Sequence, residues 1–187
     1  SCNKCQAPKK ARANGAYRRE DWLPGGWSDL DGDCMRTRDE VLKRDNLQPP
    51  ENEEKVCRVL SGQWQDFYDS TRTITDPKQT DIDHVVSLKE AHDYGGAAWP
   101  LERRLEFAQD MHNLVVTSAR LNRQKGSQSP ATWLPSIRLE DNCRYLRKWK
   151  EVVAKYSLAP PSTVQKHVEF TWKKCSSSEA LGPVRSK

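Results

Sequence analysis

The apolar positions in the middle of the chain predict two β-strands separated by a long insertion. Residues 81–88 (DIDHVVSL) and 113–118 (NLVVTS) are rich in β-branched residues and have strand length. The insertion contains the run PLERRLEFAQD, whose apolar residues share one side of a predicted helix. After the second strand, Ser118 can cap a helix ARLNRQKG that ends at Gly126. The predicted order is therefore strand, long loop, strand, helix.

Helical and alternating patterns on either side of this unit predict further elements. In TRDEVLKRDNL, Thr37 is the predicted N-cap, and Glu40 completes a capping box. Near the C-terminus, NCRYLRKWKEVVAKY and TVQKHVEFTWKKC have apolar residues at helical spacing and predict two helices that pack together. The run VCRVLSGQWQDFY suits a hairpin with its turn at Ser61 and Gly62.

Polar segments without periodicity mark both ends of one domain. The chain has 187 residues with 35% apolar composition, enough for a single core. We expect an N-terminal arm over 1–20, one domain over 21–175 and a disordered tail over 176–187. The mean hydropathy is −0.91, and no apolar run approaches the length of a membrane span, so we expect no membrane association. Because the first residues are polar and basic, we expect that any secretory signal has been removed.

Six cysteines predict disulfides and an oxidising compartment, so we expect a secreted or periplasmic protein. Six cysteines allow 15 pairings in principle. A structural zinc is disfavoured because one CxxC stands in the sequence without a second ligand pair. The pairs that we expect are Cys2–Cys5, Cys34–Cys57 and Cys143–Cys175, the last joining the two C-terminal helices.

The net charge of +5 is unevenly distributed along the sequence. Residues 118–156 hold nine Lys/Arg against three Asp/Glu, whereas residues 21–117 hold eleven against twenty. The basic segment is suited to a polyanion, and the acidic one can supply carboxylates to a divalent cation. The alternative is an ordinary solvated charged surface.

Four residues of the strand–loop–strand–helix unit form a combination typical of metal-assisted hydrolysis. Asp83 and His84 lie in the first strand, Asn113 opens the second, and Asn122 lies on the helix. A neutral imidazole can accept a proton from water, while side-chain oxygens hold a hard cation such as Mg²⁺. Each residue alone is more often a packing or turn residue. Alternation along an ideal strand directs Asp83 and His84 to opposite faces, so the strand must twist or bulge, or Asp83 acts through water.

The runs DIDHVVSL, HNLVV and LNRQKG resemble the HNH nucleases with their ββα-metal (His-Me) finger, including the HNH domain of CRISPR effector nucleases. The nine residues from Asn113 to Asn122 match the spacing in that family. Four longer runs are similar to a group of secreted bacterial HNH-family proteins: WSDLDGDCMRTRDEVLKRD, SGQWQDFYDS, EAHDYGGAAWPLERRLEFAQD and NRQKGSQSPATWLP. The resemblance covers about residues 17–175 and departs from the family pattern at Ser87, Gln109 and Ser127.

The resemblance implies an α+β fold in which a ββα-metal finger, at about residues 80–127, carries additional helices and disulfides. It makes His84 the general base, Asp83 and Asn122 the ligands of Mg²⁺ or Mn²⁺, and Asn113 the brace of the loop that holds His84. Activity is then expected to fall below about pH 6.5, the unperturbed imidazole pKa. Arg123 is a candidate for catalysis, and the candidate substrate contacts, otherwise exposed solubilising charges, are Arg38, Arg103, Arg123 and Lys125.

These roles predict a secreted, monomeric endonuclease that hydrolyses DNA, with RNA as a second candidate substrate, at low sequence specificity. One alternative is a non-catalytic nucleic-acid-binding module on the same scaffold. Another is a calcium-dependent surface module. A third is a toxin domain with an immunity or inhibitor protein as its partner. The calcium alternative uses positions 1, 3, 5 and 12 of a calcium loop, although Cys34 replaces the glycine at position 6; those positions are Asp29, Asp31, Asp33 and Glu40.

Overall fold

The computed structural model describes residues 15–49 and 56–175. This part of the chain contains two antiparallel sheets of two strands each, six α-helices and three short 3₁₀ turns. In chain order the strands and α-helices are α1 (Thr37–Arg44), β1 (Trp64–Asp66), β2 (Asp69–Ile74), β3 (Thr80–His84), α2 (Leu88–Asp93), α3 (Leu101–Ala108), β4 (Leu114–Ser118), α4 (Ala119–Lys125), α5 (Leu139–Lys155) and α6 (Ser162–Cys175). The predicted Cys2–Cys5 ring and the predicted tail lie outside the described residues.

The central unit is the antiparallel β3–β4 pair followed by α4, with α2 and α3 in the long connection between the strands. The order of strand, long connection, strand and helix is the one that the sequence predicted. Strand β3 ends at His84 instead of continuing to residue 88, because Ser87 and Glu90 form a capping box that starts α2. Helix α4 begins as predicted, with the Ser118 hydroxyl accepting from the Leu121 amide at 3.4 Å. It ends at Gly126, whose φ of +54° lies in the left-handed region that favours glycine.

Two apolar clusters lie on opposite sides of this unit. The larger one joins Val115 of β4 and Leu121 of α4 to the aromatic and aliphatic side chains of α2, α3, α5 and α6. The smaller one packs Ile82 and Val116 against α1 and Trp64. Trp64 is fully buried and its indole N–H donates to the Leu42 carbonyl at 2.7 Å, so this tryptophan is a core residue.

The start of α1 differs from the sequence prediction. The helix begins at Thr37 itself, with Arg36 as an N-cap that makes no side-chain capping bond. The Thr37 hydroxyl instead donates to the Ser28 carbonyl at 3.1 Å and lies 3.0 Å from the Gln109 side-chain oxygen. These tertiary contacts take the hydroxyl that the capping box would have used.

The first hairpin also differs, since its turn lies at Phe67 and Tyr68 rather than at Ser61 and Gly62. An added Cβ at Gly62 would lie 2.7 Å from the Trp64 ring, so a close aromatic contact explains this glycine. The turn at Tyr68 is stabilised by Asp66, whose carboxylate accepts from the Tyr68 amide at 3.1 Å. A side-chain turn signal of this kind outweighed the Ser-Gly pair.

Two disulfides confirm two of the predicted pairings. Cys34 is bonded to Cys57, and Cys143 of α5 is bonded to Cys175 of α6. The second bond closes a sequence separation of 32 residues and joins the two C-terminal helices, which pack together as predicted.

The described end of the N-terminal arm is packed against the domain. The His92 ring nitrogen Nε2 lies 3.0 Å from the Gly15 carbonyl, and the Tyr17 ring meets the His92 ring edge-on at 5.8 Å. Residues 15–20 are therefore docked, in contrast to the loosely tied arm that the sequence predicted. Among the described helices, none combines the length and apolar composition needed to cross a bilayer.

Candidate active site

One face of β3 presents two carboxylates to α4. Asp81 and Asp83 share this face because side chains alternate along a strand, and Asn122 and Lys125 share the facing side of α4 because they are three residues apart. The contacts form two rungs, Asp81 with Asn122 and Asp83 with Lys125. The antiparallel register is regular from Thr80 to His84, so the strand carries no bulge here.

The Asp81–Asn122 rung is a hydrogen bond from the Asn122 amide to the Asp81 carboxylate. Asn122 Nδ2 lies 2.9 Å from Asp81 Oδ2, and both residues are half-buried. Rotating the Asn122 amide by half a turn would bring its oxygen, in place of its nitrogen, next to the Asp81 carboxylate. The carboxylate alone favours the nitrogen in this position, and a bound cation favours the oxygen. Two oxygens bound to Mg²⁺ at 2.0–2.1 Å and at right angles lie about 2.9 Å apart. The donor set of this rung therefore fits a magnesium ion.

The Asp83 carboxylate is buried and is held by two donors on the same oxygen. Its Oδ2 accepts from the Tyr68 hydroxyl at 2.7 Å and from the Lys125 ammonium at 2.9 Å. Oδ1 makes no hydrogen bond to the described residues. Burial, together with the negative charge at Asp83 next to the phenol, holds the pKa of Tyr68 well above its usual value, so Tyr68 acts as a donor.

Lys125 is fully buried, and its position contradicts the predicted substrate contact. Besides Asp83, the ammonium binds the His84 carbonyl at 2.8 Å. Its side chain has no exposed area. A group enclosed in this way does not meet a phosphate, and a buried ammonium requires the carboxylate beside it.

The His84 side chain lies on the opposite face of β3 from Asp83. Its Nε2 lies 2.7 Å from the Ala108 carbonyl at the end of α3, and its ring stacks on Trp27 at 5.4 Å. Because a carbonyl only accepts, Nε2 carries the proton and the lone pair lies on Nδ1. Burial lowers the pKa of His84 from 6.5 to about 4. The imidazole is neutral at neutral pH, and the acid limit expected near pH 6.5 moves down to about pH 4.

Asn113 connects the start of β4 to the loop that follows His84. Its side-chain oxygen accepts from the Val86 amide at 2.9 Å, and its amide nitrogen donates to the Val86 carbonyl at 3.0 Å. The Asn113 side chain is fully buried. These are the contacts expected of a brace, and they lie beside the imidazole without touching it.

The arginines predicted to contact substrate lie in three different places. Arg38 donates to the carbonyls of Pro77 and Thr80 at 2.9 and 3.2 Å, so it fastens the chain that enters β3. Arg103 lies over the Trp99 ring at 4.6 Å, on the exposed side of α3. Arg123 is exposed on α4 beside Asn122. Of the three, only Arg123 is adjacent to the Asp81–Asn122 rung.

The acidic loop before α1 brings three carboxylates together on the surface. Ligand atoms of Asp29, Asp31 and Asp33 lie within 4.8 Å of one another. The carboxylate of Asp29 is already hydrogen-bonded to the amides of Gly32 and Cys34 at 2.8 and 2.9 Å. Hydrogen bonds within the loop explain its shape without a calcium ion.

Sequence reasoning missed two residues of this site. Asp81 was overlooked although alternation places it on the same face as Asp83, and this signal could have identified it. Tyr68 was overlooked because it comes from the β1–β2 hairpin, and no sequence spacing connects it to Asp83. The Ala108 carbonyl is likewise a tertiary contact.

Comparison with known proteins identifies the family. Residues 36–167 match the GmrSD restriction endonucleases, C-terminal domain, and the chain belongs to this family. It is 36% identical over 140 residues to an uncharacterized secreted protein of Arthroderma benhamiae, a match that covers 73% of this chain. The chain spans 65% of the length of that relative. No solved structure matches the chain.

These comparisons support the coarser part of the sequence interpretation. A domain of a restriction endonuclease family agrees with the predicted nuclease class. The relative is a fungal protein, so the expected likeness to bacterial proteins gains no support from it.

Proposed function

We propose that this protein is a secreted, monomeric endonuclease that hydrolyses phosphodiester bonds of DNA, and of RNA as a second substrate, with a divalent cation. The observation that carries the proposal is the end of β3, where oxygen donors lie on one face and a neutral imidazole on the other. Membership of a restriction endonuclease family supports the same chemistry. Two disulfides and the description of the relative as secreted support an extracellular location.

Asp81 and Asn122 would hold the cation, with Asp83 Oδ1 as a further oxygen donor. Mg²⁺ or Mn²⁺ bound there supplies positive charge to a scissile phosphate oxygen. Lys125 and Tyr68 hold the other Asp83 oxygen, so they fix the direction of the carboxylate. Mg²⁺ commonly uses one or two protein carboxylates and completes its shell with water and phosphate oxygens.

His84 would act as the general base. The bond from Nε2 to Ala108 fixes the tautomer, and the Nδ1 lone pair is left to accept a proton from water. Asn113 braces the following loop and so holds the ring in place. Arg123, exposed next to Asn122, would bind the charged phosphate.

A plasmid-nicking assay tests the activity. The wild-type protein should convert supercoiled DNA to the nicked form with Mg²⁺ or Mn²⁺ and lose this activity with a chelator. His84→Ala should reduce the rate by at least about 100-fold, because general-base catalysis contributes about 10² to 10⁴. Nicking that survives chelation, or that persists in His84→Ala, would refute the proposed mechanism.

Titration calorimetry with Mn²⁺ separates the two carboxylates. Asp81→Asn and Asn122→Ala should each weaken Mn²⁺ binding by more than about tenfold, because each removes a direct ligand. Asp93→Asn is the matched control, since Asp93 is exposed and pairs with Lys89 on the surface. Loss of binding in Asp83→Asn with wild-type affinity in Asp81→Asn would show that Asp83 alone carries the ion.

A further inference from the structure

A concave groove runs along the edge of β4 that faces away from β3. It has a volume of about 800 Å³ and is bordered by the end of α1, the β1–β2 hairpin and α5. This volume lies in the range of small-ligand pockets and fits one or two nucleotides, not a duplex. Nothing in the proposed chemistry uses this surface.

Cations line the groove on two sides. On the α1 side, Arg44 is held by the carbonyls of Met111 and Leu114 at 2.6 and 2.9 Å, and it also pairs with Asp45. On the α5 side, Arg144 donates to the Phe67 carbonyl at 2.6 Å. Carbonyl partners fix these guanidinium groups against the groove walls, and each group is also paired with a carboxylate, Arg44 with Asp45 at 2.6 Å and Arg144 with Asp141 at 2.8 Å.

Lys148 supplies a third cation, with the carboxylate of Glu151 one turn away on the same helix. It is half-buried on the wall of the groove and makes no ion pair with the described residues. Glu151, one turn further along α5, is engaged by His112 at 3.2 Å. Burial lowers the pKa of Lys148, the carboxylate of Glu151 raises it in part, and the positive charge of Arg44 lowers it again, so an anion bound between the two cations would relieve the effects of burial and of Arg44.

The groove also has an apolar side and lies close to the candidate active site. Phe67 is half-buried on its floor, under the Arg144 guanidinium at 5.3 Å. Val115, on the floor, pairs directly with Asp83 of the neighbouring strand β3. Neighbouring strands lie about 4.8 Å apart, so the groove begins one strand away from the carboxylates.

We propose that this groove, defined by Arg44, Phe67, Arg144 and Lys148, binds a single-stranded segment of the nucleic-acid substrate, with a backbone phosphate between Lys148 and Arg44. Cations for phosphate and an aromatic floor for the sugar and base are the combination that single-strand sites use. The inference rests on the proposed nuclease function, because it takes the occupant of the groove to be the substrate of the neighbouring site.

The test measures binding separately from cleavage. Fluorescence anisotropy with a labelled single-stranded DNA oligonucleotide is carried out on His84→Ala protein, alone and with Lys148→Gln. Lys148→Gln should weaken binding about tenfold, as expected for one charged hydrogen bond. It should also reduce the slope of log affinity against log salt by about 0.7. Lys150→Gln is the control on the same helix, because Lys150 is paired with Glu169 at 2.8 Å.

Hydrolysis of the small diester bis(p-nitrophenyl) phosphate distinguishes the two proposals. Lys148→Gln in the otherwise wild-type protein should leave this reaction unchanged and raise KM for single-stranded DNA. A protein inactive on both substrates would refute the nuclease proposal. The anisotropy result would still show whether the groove binds single-stranded DNA. Equal effects of Lys148→Gln and Lys150→Gln, or competition by inorganic phosphate as strong as by the oligonucleotide, would overturn the groove as a strand-binding site.

Discussion

Acidification should lower the free energy of unfolding of this protein through His84, because the buried imidazole takes up a proton more readily in the unfolded chain. The ring is 4% exposed and its pKa is lowered from 6.5 to about 4, chiefly by burial. In the unfolded chain the imidazole takes up a proton near pH 6.5, whereas in the folded protein it does so near pH 4. The contribution of the neutral His84 to the free energy of unfolding is therefore complete above pH 6.5 and is lost as the pH falls towards 4.

The magnitude follows from the separation of the two pKa values. Each unit corresponds to 1.36 kcal/mol, so the full separation is worth about 3 kcal/mol. Between pH 7 and pH 4.5, most of this amount should disappear from the free energy of unfolding, or roughly 2 to 3 kcal/mol. The same neutral imidazole should keep cleavage active well below pH 6.5, where an unperturbed histidine would already be protonated.

Urea unfolding at a series of pH values, with the disulfides intact, measures this effect. Carboxylates titrate over the same range, so the control is His84→Gln, which keeps an N–H group for the Ala108 carbonyl and does not titrate. The difference between the two pH profiles isolates the histidine. Profiles that stay parallel within about 0.5 kcal/mol from pH 7 to 4.5 would refute the argument, since they would mean that His84 titrates alike in both states.

Two further predictions concern stability. Lys125→Met should lower the free energy of unfolding by about 3 to 5 kcal/mol because it leaves the Asp83 carboxylate buried without its cation, and adding Asp83→Asn should recover most of the loss. Urea unfolding measures both variants, and a loss below about 1 kcal/mol in Lys125→Met would contradict the buried ion pair. Replacing Cys143 and Cys175 together by serine should cost about 3 to 4 kcal/mol, since the bond closes a separation of 32 residues. An unchanged midpoint in thermal unfolding would show that the α5–α6 packing suffices alone.

The sequence by itself determined the elements whose signals are local. The β-branched runs specified β3 and β4, and Ser118 and Gly126 specified the ends of α4, because capping depends on residues within one turn. The Cys143–Cys175 pair was also expected, and the structure confirms it. Strand alternation likewise determined that Asp83 and His84 project to opposite faces.

Local signals failed where a distant residue offered a competing partner. Thr37 has the pattern of an N-cap, yet its hydroxyl bonds to Ser28 and Gln109. The Ser61-Gly62 pair has the pattern of a turn. The turn of the hairpin nevertheless lies at Phe67 and Tyr68, where the Asp66 carboxylate accepts a hydrogen bond from the Tyr68 amide. The Thr37 hydroxyl and the Asp66 carboxylate each formed a hydrogen bond that the folded chain made available. Spacing along the sequence alone does not show which of the possible partners such a side chain will take.

Only the tertiary structure decided the roles within the candidate site. Asn122 faces Asp81 and not Asp83, because Lys125 and Tyr68 already hold Asp83. Lys125 looks like a surface cation in the sequence and is fully buried, since its ammonium has a carboxylate and a carbonyl within reach. The low pKa of His84 comes from its burial in the packed chain, which outweighs the opposite effect of the hydrogen bond to the Ala108 carbonyl. Burial and ion pairing are set by chain segments that are distant in sequence, so these properties appear only when the chain is packed.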